Sequence, residues 1–163
     1  MSIGMIGFVA SMIMQSSSPP CADDRYNDFD FWVGTWDVYV GESLTGRNVI
    51  TKEEAGCLVL ETWTNASGGT GQSYNYYDPA KDVWRQVWVS PGLLIDYEGG
   101  LDEEGRMALE GELTSHTRGT TAPFRGRWEA LADGTVQQTF WIYHADDDAW
   151  AVWFDANYRP TDE

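Results

Sequence analysis

The residues able to do chemistry in this chain are a few polar side chains set at regular spacing among aromatic and aliphatic ones. Val59, Glu61 and Trp63 alternate along the sequence, as do Trp84, Gln86 and Trp88, and again Val136, Gln138 and Phe140. Each trio places one carboxylate or amide between apolar groups at a spacing of two, which on an extended strand is a single face. Such a face suits a ligand cavity, where aromatic area supplies burial and a few placed polar groups supply orientation. Asn75, Glu110 and Arg127 stand at comparable positions and would complete the lining. The expected ligand-binding set is Glu61, Trp63, Asn75, Gln86, Trp88, Gln138 and Phe140. Register decides the matter, because a slip of one residue turns every polar group to solvent and leaves the aromatics as a filled core.

The same residues allow a second chemistry. Glu61 or Glu110, raised in pKa by burial, would serve as a base while Arg127 stabilised a developing anion, as in an isomerase or cyclase. Charged strand residues more often face water or form structural ion pairs, so binding ranks above catalysis. His116 and His144 are the two histidines, which excludes a His-rich metal site. One axial His would suffice for haem, but His116 falls in a Thr- and Gly-rich loop and His144 ends a strand beside an acidic turn, so no cofactor is expected. Asp146-Asp147-Asp148 lacks the Gly and distal Glu of a calcium loop and reads as a solvated turn, so no metal is expected. Asn65-Ala66-Ser67 fits a glycosylation sequon, a pattern of high chance frequency. No Gly-x-Ser-x-Gly and no Ser/His/Asp or Cys/His constellation is present.

The elements that must position these groups are strands. From Phe29 onward no window sustains helical periodicity, whereas short alternating runs recur every ten to twelve residues. Strands are expected at about 31–41, 47–54, 57–65, 70–78, 82–90, 93–100, 105–113, 123–131, 134–144 and 149–158. Between them lie Leu44-Thr45-Gly46, Ala66-Ser67-Gly68-Gly69, Asp78-Pro79-Ala80-Lys81, Asp102-Glu103-Glu104-Gly105, Ala132-Asp133-Gly134 and Asp146-Asp147-Asp148, all hairpin or loop chemistry. Tight successive turns imply nearest-neighbour antiparallel pairing. The fold class is all-β, and a meander of about ten strands removes its edges most simply by closing into an up-and-down barrel that can hold one small ligand. A curled sandwich has the same content. A short helical turn within Asp23 to Asn27 would plug one end.

Length and charge bound what such a barrel can meet. At 163 residues there is room for one domain, and 26 acidic residues against 10 Lys and Arg give a formal charge of −16. Binding to nucleic acid or to anionic membranes needs clustered basic residues and is excluded as a function class. Residues 1–20 carry no charge, and the apolar run Ile3 to Met14 is too short for the ~20 residues of a membrane span. It has the length of a secretory apolar core without the basic start or an Ala-x-Ala cleavage site. Residues 1–20 read as a signal peptide or disordered tail, and residues 21–163 as the barrel domain. Cys21 and Cys57 would pair in an oxidising compartment, the alternative being two reduced thiols, and their spacing offers no zinc framework. The expected location is periplasmic or secreted, the partner a small apolar or amphipathic ligand, and the chain a monomer or homodimer.

The segment Phe29-Asp30-Phe31-Trp32-Val33-Gly34-Thr35-Trp36-Asp37-Val38 resembles the opening strand of the calycin superfamily, the lipocalins and fatty-acid-binding proteins, in which Gly-x-Trp starts the barrel. In those folds a basic residue near the last strand lies over the Trp. The resemblance implies that Arg159 stacks on Trp36, beside Gly34, and donates to carbonyls of the first strand. More closely, that segment with Gly56-Cys57, Trp63, Asn75-Tyr76-Tyr77-Asp78, Trp84-Arg85-Gln86-Val87-Trp88-Val89 and Phe154-Asp155 is similar to uncharacterised, often exported bacterial lipocalin-like proteins, over about residues 21–159. It implies a barrel and an envelope location and carries no activity. Three functions stand open: carriage of a small, largely apolar ligand, an enzyme using the same cavity, or a structural envelope domain with a filled core.

Overall fold

A computed structural model describes residues 19–161. The expected leader, residues 1–20, lies almost wholly outside them. Ten strands follow in chain order: β1 (Gly34–Val40), β2 (Ser43–Glu53), β3 (Leu58–Asn65), β4 (Thr70–Asp78), β5 (Val83–Val89), β6 (Leu93–Leu101), β7 (Met107–Ser115), β8 (Thr120–Ala130), β9 (Val136–His144) and β10 (Ala149–Pro160). Each pairs antiparallel with its sequence neighbours, and β1 pairs with β10, so the sheet closes into an up-and-down barrel. Closure leaves no unpaired edge. Among the described residues no helix is long and apolar enough to cross a membrane.

Alternation sets the inner face. Along β4, Gly71, Ser73 and Asn75 are buried while Gln72 and Tyr74 are exposed, and β2 buries Gly46, Asn48 and Ile50 in the same rhythm. Register then stacks neighbours: Glu61 of β3 faces Ser73 of β4, which faces Trp88 of β5, which faces Ile95 of β6.

The first expected strand, 31–41, is shortened by the structure, and the turn expected at Leu44-Thr45-Gly46 is strand instead, since β2 already pairs Leu44 with Tyr39 and Gly46 with Val38. Asp30–Trp32 form a 3-10 turn, and β1 begins at Gly34. Residues three apart eclipse one another on such a turn. Phe29 and Trp32 therefore face the same way and stack at 4.9 Å, fully buried in one barrel end. An extended chain would have put them on opposite faces. Phe29 also meets the edges of Trp84 and Trp128, and Trp32 packs on Trp128 and Tyr158. Gly34 has φ +154°, a backbone that side chains rarely adopt, and an added Cβ would press on the Trp36 indole at 3.3 Å.

The expected plug is present as a 3-10 turn at Asp24–Asn27, capped by Asp23. Arg25 reaches Asp82 of the β4–β5 turn at 2.7 Å, and its carbonyl accepts from Trp84 Nε1 at 3.1 Å. Lys52 donates to the Tyr26 carbonyl, Asn27 Oδ1 and Asp30 Oδ1. A Cys21–Cys57 disulfide joins the plug to the turn before β3. One end of the barrel is thus sealed covalently, by ion pairs and by aromatic packing.

Trp36 and Arg159 do not stack. Trp36 Nε1 donates to the Trp32 carbonyl at 2.9 Å and its ring meets Tyr158. Arg159 is exposed and lies over Tyr39 at 4.1 Å, with Nε donating to Asn157. The reason is parity. β1 and β10 pair Trp36 with Pro160, Asp37 with Arg159 and Val38 with Tyr158, so Arg159 falls on the outer face with Asp37 and Tyr158 takes the inner place.

Candidate functional site

At the end opposite the plug the barrel opens into a cavity of about 440 Å³. That lies within the roughly 300–1,000 Å³ usual for small-molecule sites. Its mouth is set by Asn65 and Gly69 at the β3–β4 turn and by Ser90 and Pro91 at the β5–β6 turn. The walls are Trp63, Trp88, Leu93, Phe140 and Trp153, and the floor presents Glu61, Gln86, Tyr97, Gln138 and Tyr158.

Two of the three wall tryptophans, Trp63 and Trp88, have room because glycines sit against them. A Cβ on Gly46 would fall 2.5 Å from the Trp63 ring, and one on Gly71 would fall 2.2 Å from that of Trp88. Trp153 owes its place to a β-bulge, where pairing with β9 skips from Val152–Trp141 to Phe154–Phe140. The extra residue lets Trp153 join Phe154 in the lining, where it meets Phe124 and Phe140.

The floor is one connected hydrogen-bond network. Tyr97 donates its hydroxyl to Gln86 Oε1, and Gln86 Nε2 donates to Asn75 Oδ1. Asn75 Nδ2 donates to Ser73 Oγ at 2.8 Å and to the Val59 carbonyl at 2.9 Å. Ser73 in turn donates to Glu61 Oε2 at 2.5 Å. From the other side Asn48 Nδ2 donates to Glu61 Oε1 at 2.6 Å and to the Tyr158 hydroxyl at 3.3 Å, and Tyr158 donates to Gln138 Oε1 at 2.6 Å. Asn48 Oδ1 is buried with no donor.

Glu61 is the centre of this network. Burial pushes its carboxyl up from 4.5 to about 7, against the opposing pull of the Ser73 and Asn48 hydrogen bonds. Burial also holds Tyr97 and Tyr158 well above the ordinary phenol range, so both stay neutral donors.

Of the residues expected at a ligand site, Glu61, Trp63, Gln86, Trp88, Gln138 and Phe140 come together at the cavity. Asn75 does not. It is fully buried inside the barrel beneath the lining, where it fixes Gln86 and Ser73. Glu110 and Arg127 are corrected more strongly, since both face out. Glu110 is two-thirds exposed and pairs with Arg125 at 2.9 Å, while Arg127 lies over Trp141. Glu110 alternates with buried Met107-x-Leu109, and Arg127 stands between buried Gly126 and Trp128, so pleating turns each outward. The base-plus-cation arrangement is therefore not assembled in the barrel.

His116 and His144 are exposed and line no part of the cavity. The Asp146–148 turn is exposed, with Asp148 accepting from Tyr143, and among the described residues no three His, Cys, Asp or Glu side chains gather to hold a metal. Asn65 of the sequon caps its own turn, accepting from Ser67 N and Gly69 N.

Sequence reasoning missed Tyr97, Tyr158, Asn48 and Ser73. The signal for three was available: Tyr97 faces Gln86 across β5–β6, Ser73 faces Glu61, and Asn48 lies two residues before buried Ile50. Trp153 had none, because parity alone sends it outward.

The closed ten-stranded meander, sealed at one end and hollow at the other, is an antiparallel barrel consistent with a calycin-like fold. Compared with known proteins, the chain matches no family model and no curated protein.

Proposed function

We propose that this protein binds and carries a small, largely apolar ligand in the barrel cavity. The observation that supports this most directly is the pairing of aromatic walls with a compact polar floor at the open end. A filled structural core would bring the wall aromatics into mutual contact instead of leaving about 440 Å³ between them. Catalysis in the same cavity would rest on Glu61 alone, since Arg127 is outside. On this reading the chain is a lipocalin-like member of the calycin superfamily working in a periplasmic or extracellular setting, with which the Cys21–Cys57 disulfide is compatible.

The test is a tryptophan-fluorescence titration with phenylbutanol, a neutral probe with an apolar body, joined to native mass spectrometry of the protein from its own source. Saturable quenching that weakens at least about tenfold in Trp88→Ala, a loss of about 1.4 kcal/mol, supports the reading. Absence of any saturable response refutes it.

A further inference from the structure

We propose, on the reading of a ligand-carrying barrel, that the cavity selects a hydrophobic organic cation: an amine whose ammonium group seats against Glu61 while its apolar body lies between Trp63, Trp88 and Phe140.

Three observations carry this. The first is a donor and acceptor census of the floor. The Tyr97 and Tyr158 hydroxyl protons are engaged by Gln86 and Gln138, and the Ser73 hydroxyl and Asn48 amide point at Glu61. The protein's hydroxyl donors are thus turned inward on its own network. Each Glu61 oxygen receives one of these bonds, and an ionised carboxylate has about four lone-pair sites, so two remain. Those two acceptor sites are on the one carboxylate of the lining, and an ammonium group brings three donors to them.

The second is charge. Glu61 is the one ionised-type side chain in the lining, and no Lys, Arg or His lines the cavity with it. A buried carboxylate without a counter-ion is expensive, and a ligand cation would supply what the protein omits. A fatty acid or other anion would meet an acidic floor with no cation to receive it. The formal charge of −16 further draws cations and repels anions over distance.

The third is the wall. Trp63 and Trp88 present flat rings seated on Gly46 and Gly71, with Phe140 across from them. These rings bury the apolar body of such a ligand and leave its charged end to Glu61. Four residues of β3 separate Asn65 at the mouth from Glu61, about 13 Å at strand rise, which leaves room for an extended aryl-alkyl amine.

The experiment compares phenylbutylamine, phenylbutanol and phenylbutyrate on the full chain at a pH of about 8, by fluorescence titration and calorimetry. The amine is expected to bind at least about tenfold tighter than the alcohol, and the acid weakest. Glu61→Gln should erase the amine's advantage over the alcohol. Should that variant not fold, the wild-type protein gives a second readout at a pH of about 6. There an ammonium docking against a protonated Glu61 carboxyl sends that proton to the buffer, whereas the alcohol releases none. The other titratable groups that line the cavity with Glu61 are Tyr97 of β6 and Tyr158 of β10, both neutral, while Arg47, Lys52 and Glu53 of β2, Asp96 and Glu98 of β6 and Asp155 and Arg159 of β10 lie outside that lining, so the proton has one source there. Alcohol binding without an amine advantage, or an advantage that survives Glu61→Gln, overturns the cation proposal and leaves the carrier reading standing. If none of the three probes binds, both fall together.

Discussion

Glu61 makes the stability of the empty barrel fall as pH rises through neutrality. Its carboxyl titrates near 4.5 when the chain is unfolded and near 7 when buried, so between those values the folded state holds a proton that the unfolded state has released. A raised folded pKa contributes stability that is fully present below about 4.5 and is lost as pH climbs through about 7. The shift of about 2.5 units corresponds to roughly 3 kcal/mol at ~1.36 kcal/mol per unit. For a domain of this size that is roughly 6–12 °C in melting temperature. Other groups titrate in the same scan. Asp133, held below the usual carboxylate range by the Thr135 hydroxyl and backbone N–H, loses its contribution as pH falls, the opposite direction. The clean quantity is therefore the difference between the wild-type protein and Glu61→Gln, measured by urea unfolding from about pH 4 to about pH 8. That difference should move by about 3 kcal/mol in favour of the variant. The isosteric amide is accommodated because the unpartnered Asn48 Oδ1 can accept from it once the Asn48 amide turns over. A difference that stays constant across the range would show that Glu61 ionises as freely inside the barrel as in water, and the reasoning about its burial would be wrong.

Other expectations follow from the plug and the walls. Cys57→Ser opens a crosslink spanning 36 residues and should cost roughly 3–4 kcal/mol in chain entropy, read by denaturant unfolding with and without reductant. Arg159→Ala should leave the melting temperature within the scatter of replicates, because it removes exposed contacts with Tyr39 and Asn157, whereas Trp36→Ala should lower it sharply. Gly71→Ala should displace the Trp88 ring, costing about 1–3 kcal/mol of stability and weakening phenylbutanol binding, since the new Cβ would fall 2.2 Å from that ring.

Most of the wall plan was legible because pleating is strict and turns are chemically marked. The alternation that put Glu61, Gln86 and Gln138 on one face needed only a strand and its period. Polar character alone was the poorer guide. Glu110 and Arg127 looked like partners for Glu61 by composition, yet the buried Met107, Leu109 and Trp128 beside them already fixed the outward direction. The Arg159 stack failed the same way, with Tyr158 holding the inner place. Two features were hidden for physical reasons: a bulge at Trp153 breaks parity without a sequence mark, and the 3-10 turn at Asp30–Trp32 looks like strand because its residues are aromatic.

The seam between β1 and β10 bears on how the chain reaches this state. Nine of the ten strand pairings join sequence neighbours and can form as hairpins while the chain is still growing. The tenth brings Trp36 against Pro160 and Val38 against Tyr158, and Trp32 near the start needs Trp128 and Tyr158 for cover. Phe29 and Trp32 can meet Trp84 and Trp128 once β5 and β8 exist, but the Tyr158 ring that covers Trp32 and Trp36 arrives only with the last strand. The β1–β10 seam is thus the one pairing of high sequence separation in the barrel, and it is the one that completes the cover of Trp32 and Trp36.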